Sequence, residues 1–85
     1  MTKMILLGAG GSINPDQVLM IASLRSAPIK RLLKLAPPEK VINLTYGYPR
    51  RSLVIFQNGM LVISRVDVDE LTEAFINTED ISFNE

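Results

Sequence analysis

Residues 53–63, LVIFQNGMLVI, determine more of the fold than any other stretch of this 85-residue chain. Two apolar runs, residues 53–56 and 60–63, flank Gln57-Asn58-Gly59. Asn-Gly is the preferred pair of a tight type I′ turn, because both residues tolerate a positive φ. The stretch therefore predicts two antiparallel strands joined as a hairpin.

Three further strands are predicted on the N-terminal side of this hairpin. Residues 4–7 and 18–22 are apolar runs separated by glycines and by Asn14-Pro15-Asp16, so we expect two strands joined through a turn. Residues 41–45 are rich in β-branched side chains and lead into a turn that contains glycine and proline, which predicts another strand.

A first helix is predicted between Ser26 and Pro37-Pro38. Ser26 can cap the free backbone amides, Pro28 is tolerated in the first turn, and the proline pair ends the helix. Apolar residues at the i, i+3, i+4, i+7 spacing predict a core-facing stripe, and three basic residues share the opposite side. The stripe consists of Ile29, Leu32, Leu33 and Ala36, and the basic side consists of Lys30, Arg31 and Lys34.

A second helix is predicted after Asp67, which can cap it, with Asp69 and Glu70 in the first turn. The resulting order, β-β-α-β-β-β-α, predicts an α+β fold with a mostly antiparallel sheet of about five strands. We expect residues 1–76 to form a single domain and residues 77–85 to form an acidic C-terminal tail, because a chain of this length supports one compact core.

The composition disfavours catalysis. The chain has no His and no Cys, the usual general base and a common covalent nucleophile. Seven of the nine carboxylates fall in residues 66–85, where helix capping and solvation explain them. We expect a protein that is not an enzyme, forms no disulfide, holds no metal and no cofactor, and takes no small-molecule substrate.

The apolar runs are too short for membrane insertion or secretion. Lys3 and residues 4–7 are followed by glycines before a signal region could form, and no run approaches the roughly 20 residues of a membrane span. We therefore expect a cytoplasmic protein with no membrane partner. The mean hydropathy is nevertheless positive, which predicts uncovered apolar surface and self-association.

Charge is segregated along the chain although the formal net charge is zero. Residues 1–65 hold all nine basic residues and two acidic ones, a net charge of +7, whereas residues 66–85 hold seven acidic residues and no basic one, a net charge of −7. Such segregation indicates an anionic partner for the basic part. The alternative is that the acidic segment packs on the basic one and neutralises it.

Arg50-Arg51 follows Tyr46-Gly47-Tyr48-Pro49, so two guanidinium groups and two aromatic rings project from one loop region. Guanidinium groups bind phosphate oxygens and guanine edges, and tyrosines add hydroxyl contacts or stacking. The alternative is a solvated charge pair beside two packed rings. Arg25 and Lys3 would extend the basic side of the first helix if folding brings them together.

Gly8-Ala9-Gly10-Gly11 follows a predicted strand and could be taken for a phosphate-binding turn. No Gly-Lys-Ser/Thr string follows it, and no helix is predicted to begin there. A tight turn is the favoured interpretation.

The sequence resembles the RemA family of bacterial extracellular-matrix regulatory proteins over about residues 5–75. Three segments carry the resemblance: the glycine-bearing first strand with the apolar strand after it, Ser26-Ala27-Pro28-Ile29-Lys30-Arg31, and Tyr46-Gly47 leading through Arg50-Arg51 to Leu53-Val54-Ile55. The resemblance implies a transcriptional regulator of biofilm-matrix genes that binds double-stranded DNA as a ring-shaped homo-oligomer, with a fold similar to the LytTR DNA-binding domain. An octamer is one candidate subunit number.

By this resemblance, Arg50 and Arg51 match the basic loop of the family and would contact DNA, and Pro28 would shape the subunit interface. Two departures reduce the positive charge of each subunit. Gln17 stands where family members often carry an arginine, and Tyr48-Pro49 stands where more basic residues are usual.

The favoured interpretation is a sequence-tolerant DNA-binding regulator in which Arg50 and Arg51 make the main contacts with DNA. Supporting contacts are assigned to Lys30, Arg31, Lys34, Arg25 and Tyr48. One alternative is a non-enzymatic scaffold or protein-interaction module that presents its basic face to an acidic protein or to its own tail. Another is an enzyme or nucleotide-binding protein that uses residues 8–11.

Overall fold

The computed structural model describes residues 4–7 and 11–78, the last two by their backbone alone. Within these ranges the chain is α+β, as predicted, and neither helix is long and apolar enough to cross a membrane. The strands are β1 (Ile5–Leu6), β2 (Ser12–Ile13), β3 (Val18–Ser23), β4 (Val41–Asn43), β5 (Ser52–Phe56) and β6 (Leu61–Ser64), and the helices are α1 (Ala27–Leu35) and α2 (Val68–Thr78). Short 3-10 turns at Pro15–Gln17 and Pro38–Lys40 precede β3 and β4.

The main sheet has four strands in the order β3-β5-β6-β4. β5 is antiparallel to both of its neighbours, whereas β4 runs parallel to β6. β1 and β2 form a separate antiparallel pair. The main sheet is mostly antiparallel, as predicted, because two of its three strand pairings are antiparallel. A sheet of about five strands is not confirmed, since the main sheet has four strands and β1 and β2 pair separately.

The separate β1–β2 pair and the parallel direction of β4 both follow from how the chain connects these strands. The Leu7 N–H donates to the Gly11 carbonyl at 2.7 Å, so the chain folds back at once and β1 pairs with β2 instead of joining the main sheet. α1 carries the chain from β3 to the far edge of the main sheet, and a helical crossover of this kind joins parallel strands. β4 therefore runs in the direction of β3 and β6. The expected likeness to the LytTR fold stays a prediction.

The hairpin of β5 and β6 is confirmed, but its turn is not the predicted type I′. The Phe56 N–H donates to the Met60 carbonyl and the Gly59 N–H donates to the Phe56 carbonyl, both at 2.9 Å, which leaves three residues in the loop. Gly59 has a φ of +90°, whereas the φ of Asn58 is not positive. Three-residue loops commonly close in this way, with an ordinary turn followed by a left-handed glycine.

Each face of the main sheet packs against one helix, because successive side chains of a strand point to opposite faces. On one face the buried cluster is Leu24, Leu53, Leu61 and Ile63, covered by Ile29, Leu33 and Ala36 from α1 and its C-terminal end. On the other face the buried cluster is Val54, Val62 and Leu71 with Ile5, Leu7 and Ile13 of the β1–β2 region.

Leu32 does not share the core-facing stripe of α1 as predicted. It is 42% exposed and belongs to neither buried cluster. α1 contacts the sheet through Ile29, Leu33 and Ala36, a narrow i, i+4, i+7 stripe, and Leu32 lies at the margin of that stripe.

The bounds of α1 agree with the sequence signals. Ser26 occupies the N-cap position, Pro28 lies in the first turn, and Pro37-Pro38 follows the last helical residues. The Ser26 hydroxyl makes no capping hydrogen bond, so the position of the cap is confirmed and its expected bond is not.

α2 begins directly after Asp67, whose backbone carbonyl accepts the Leu71 N–H at 3.0 Å. The helix continues to Thr78, two residues into the segment assigned to the acidic tail. The rest of that tail, residues 79–85, lies outside the described ranges.

Candidate nucleic-acid interface

One end of the main sheet gathers basic residues from several chain segments. β3, β4 and β6 run toward this end and β5 starts from it, so the connections at these strand ends lie together. The Leu24 N–H donates to the Arg51 carbonyl at 3.1 Å, and the Arg51 N–H donates to the Ser64 carbonyl at 3.0 Å. We call this region the basic end; it contains Arg25, Tyr48, Arg50, Arg51 and Arg65.

α1 and the basic end line a groove with a volume of about 720 Å³. Leu24 and Leu33 form its apolar part. Its other lining residues are the exposed cations Arg25, Lys30, Arg31, Lys34 and Arg50. The structure thus brings together five of the seven residues that the sequence predicts for DNA contact.

The groove is positively charged. Among the described residues, no acidic side chain lines it, and none of its five cations has a carboxylate within ion-pairing distance. Like charges collected on one concave surface focus the electrostatic potential and attract anions. The groove is therefore suited to a ligand that carries several negative charges, such as a phosphate backbone.

Arg50 and Arg51 occupy different places although they are neighbours in sequence. Arg50 lines the groove, whereas Arg51 is exposed and is not among the described lining residues. Through its backbone, Arg51 joins the end of β3 to the end of β6. Of the two guanidinium groups that the sequence places in one loop, only that of Arg50 therefore belongs to the groove.

Tyr48 contacts Arg65, whose Cζ atom lies 4.2 Å from the centre of the tyrosine ring. Tyr48 is 57% exposed, and Tyr46 is exposed as well, so the alternative of two packed rings is wrong. Tyr46 has a φ of +52°, a left-handed conformation that is uncommon for a residue with a side chain. Arg65 is not among the residues predicted for DNA contact, although its position two residues after the predicted strand 60–63 was an available signal.

The remaining predicted positions lie apart from the groove. Pro28 is exposed in the first turn of α1. Gln17 directly precedes β3, at the opposite end of the sheet. Lys3 and residues 8–10 lie outside the described ranges, but Gly11 leads into β2 and not into a helix, as expected for a turn between strands.

The acidic residues of α2 do not cover the groove. Because α1 and α2 pack on opposite faces of the main sheet, the exposed Asp69, Glu70 and Glu73 lie on the other side of the sheet from α1. These three residues therefore do not neutralise the groove. No group of three acidic residues within the described ranges is placed to hold a metal ion.

Comparison with known proteins identifies the family of this chain. A model of the extracellular matrix regulatory protein A-like family, called RemA-like, matches residues 4–75. The chain belongs to the RemA-like family. The match includes every strand of the main sheet and all five cations of the groove, so the groove lies within the RemA-like part of the chain.

Relatives of this RemA-like chain are named as candidate regulatory proteins. One from Kosmotoga olearia is 34% identical over 79 residues, which cover 92% of this chain and 80% of the relative. One from Fervidobacterium nodosum is also 34% identical over 79 residues and is covered to 85%. One from Oceanobacillus iheyensis is 30% identical over 81 residues, which cover 94% of each chain. The family and these names support a regulatory role.

Proposed function

We propose that this RemA-like protein is a DNA-binding transcriptional regulator that grips the phosphate backbone of double-stranded DNA with its groove and basic end. The observation that supports this most is the meeting of five exposed cations around one groove, with no carboxylate partner among the described residues. Duplex DNA carries one negative charge per roughly 1.7 Å of helix axis, so several cations can face phosphates at once.

Contacts of this kind favour affinity over sequence preference. Phosphate contacts position a protein on the duplex, whereas sequence is read through base edges. We therefore propose a sequence-tolerant regulator, with the extracellular-matrix genes that give the family its name as its targets. A non-enzymatic, cytoplasmic role fits a chain without His or Cys whose relatives carry regulatory names.

One groove neutralises few phosphates, so we propose that the protein acts as a ring-shaped homo-oligomer, for which eight subunits are one candidate number. Weak contacts that repeat on one assembly combine into useful affinity. Apolar surface for self-association is present, since Leu19 is 67% exposed and Leu35 is 83% exposed. Within the described residues, β3 and β4 also form unpaired sheet edges. We place the exposed Pro28 in the subunit interface.

Binding to a fluorescently labelled duplex, followed by anisotropy at increasing salt, tests this proposal. Wild-type affinity should fall steeply, with a log–log slope of about −0.9 for each phosphate contacted. The double substitution Arg50→Ala with Arg51→Ala should abolish binding, while analytical ultracentrifugation should show the same oligomer as for the wild type.

Lys40→Ala is the matched control, because exposed Lys40 directly precedes β4 at the other end of the sheet. This variant should bind DNA like the wild type. A double arginine variant that binds as tightly as its parent would show that the site is assigned wrongly. A monomeric wild-type protein would remove the ring.

A further inference from the structure

Arg65 and Tyr48 form a contact that lies apart from the groove. The Arg65 Cζ atom is 4.2 Å from the centre of the Tyr48 ring, and neither residue is among the described residues that line the groove. Arg65 is half-buried and has no carboxylate within ion-pairing distance in the described part of the chain. Even Asp67, two residues further on, is not paired with it. The charge of Arg65 is therefore available to an external anion.

The Tyr48 ring can hold the guanidinium group of Arg65 while the N–H donors of that group stay free for other partners. A cation over an aromatic face is attracted by the ring quadrupole, which needs no N–H bond. A guanidinium is also weakly hydrated and presents its N–H groups as a fork that matches phosphate oxygens. A side chain that is already positioned loses less conformational freedom when it binds.

We propose that Arg65, held by Tyr48, is a second phosphate-binding position, separate from the groove. Arg51 lies beside it, because the Arg51 N–H donates to the carbonyl of Ser64, the residue before Arg65. A DNA backbone that leaves the groove at Arg50 then meets Arg51 and Arg65. The inference rests on the proposed function, and it makes Tyr48 a positioning residue instead of the direct DNA contact that the sequence predicts.

Substitutions at the two residues separate these roles when duplex binding is measured across a salt series. Arg65→Ala should weaken binding about tenfold, the value of roughly one hydrogen bond to a charged group. It should also flatten the log–log salt slope by about 0.9, since one phosphate contact is lost. Arg65→Gln should behave in the same way and retains more of the side chain for packing.

Tyr48→Phe keeps the aromatic ring and should bind like the wild type, whereas Tyr48→Leu should weaken binding about two- to fivefold, the typical value of an exposed cation–π contact. Arg65→Ala combined with Tyr48→Leu should cost no more than Arg65→Ala alone, because Tyr48 acts through Arg65. Lys40→Ala is again the matched control, and circular dichroism melting verifies that each variant is folded.

Three results would contradict, in turn, the phosphate contact of Arg65, the positioning role of Tyr48 and the proposed function itself. If both Arg65 variants keep wild-type affinity and salt slope while the Arg50→Ala, Arg51→Ala variant loses binding, Arg65 is not a contact and the proposed function stands. If Tyr48→Phe is as weak as Tyr48→Leu, the hydroxyl contacts DNA directly and the positioning role is wrong. If the wild-type protein binds no duplex even at low salt, the proposed function fails and this inference fails with it.

Discussion

The hydroxyl of Ser52 donates a hydrogen bond to the backbone carbonyl of Val66 at 2.7 Å. Ser52 directly follows Arg51 and Val66 directly follows Arg65, so this bond joins two segments that carry the basic end. Ser64 strengthens the junction, because its hydroxyl oxygen accepts the Val66 N–H at 2.9 Å. Both serines are fully buried. Two side-chain hydrogen bonds therefore fix the backbone from which Arg51 and Arg65 project.

Ser52→Ala should lower the free energy of unfolding by about 1–3 kcal/mol, because the Val66 carbonyl loses its buried donor. The control is Ser26→Ala, whose hydroxyl makes no capping bond and whose loss should cost less than about 0.5 kcal/mol. Urea unfolding followed by circular dichroism measures both values. Equal stability of the two variants would contradict the structural role of the Ser52 bond.

Gly59→Ala should destabilise the protein by about 1–2 kcal/mol, because a left-handed backbone is unfavourable for a residue with a Cβ atom. The φ of Gly59 is +90°, and nothing lies within 4 Å of an added Cβ atom, so the cost is conformational and not steric. Gly59→Asn should recover part of the loss, since asparagine tolerates this region better. Thermal unfolding measures the three proteins, and an Ala variant as stable as the wild type would refute the expected cost.

Removal of residues 79–85 should leave the affinity for DNA within about twofold of the intact chain, because α2, the last described element, packs on the opposite face of the main sheet from the groove. α2 starts beside the basic end, and its 11 residues carry the chain about 16 Å along the opposite face of the sheet from α1. Duplex anisotropy at physiological salt makes the comparison. A clear rise in affinity on truncation would show instead that the tail masks the basic end.

The hairpin and the bounds of α1 could be predicted because their causes are local. Asn58-Gly59, Ser26 and Pro37-Pro38 act on backbone within a few residues of themselves. The turn type was missed for an equally local reason, since three residues, not two, separate the paired Phe56 and Met60.

The direction of β4 could not be predicted from its own residues. It is set by α1, which crosses from one edge of the main sheet to the other. The exposure of Leu32 has a similar origin, because it depends on how much of the helix the sheet beneath can cover.

The sequence predicted most residues of the candidate site but not how they are arranged in space. Charge and turn signals were enough to select the five cations that line the groove. They could not separate Arg50 from Arg51, or find the Arg65–Tyr48 contact, because both depend on which strand ends coincide. The parallel pairing of β4 with β6 brings the residues that follow these two strands, including Tyr48 and Arg65, to the same end of the sheet.

The common direction of β3, β4 and β6 places most candidate ligand contacts on connecting segments, away from the strand faces that pack the interior. Substitutions in these segments, such as those at Tyr48-Pro49, can therefore change the affinity for the ligand without changing the packing of the buried leucines and valines. The opposite end of the main sheet, where residues 57–59 form the hairpin loop, carries none of these candidate contacts. A dye or a tether attached at this loop would therefore leave the basic end accessible to its ligand.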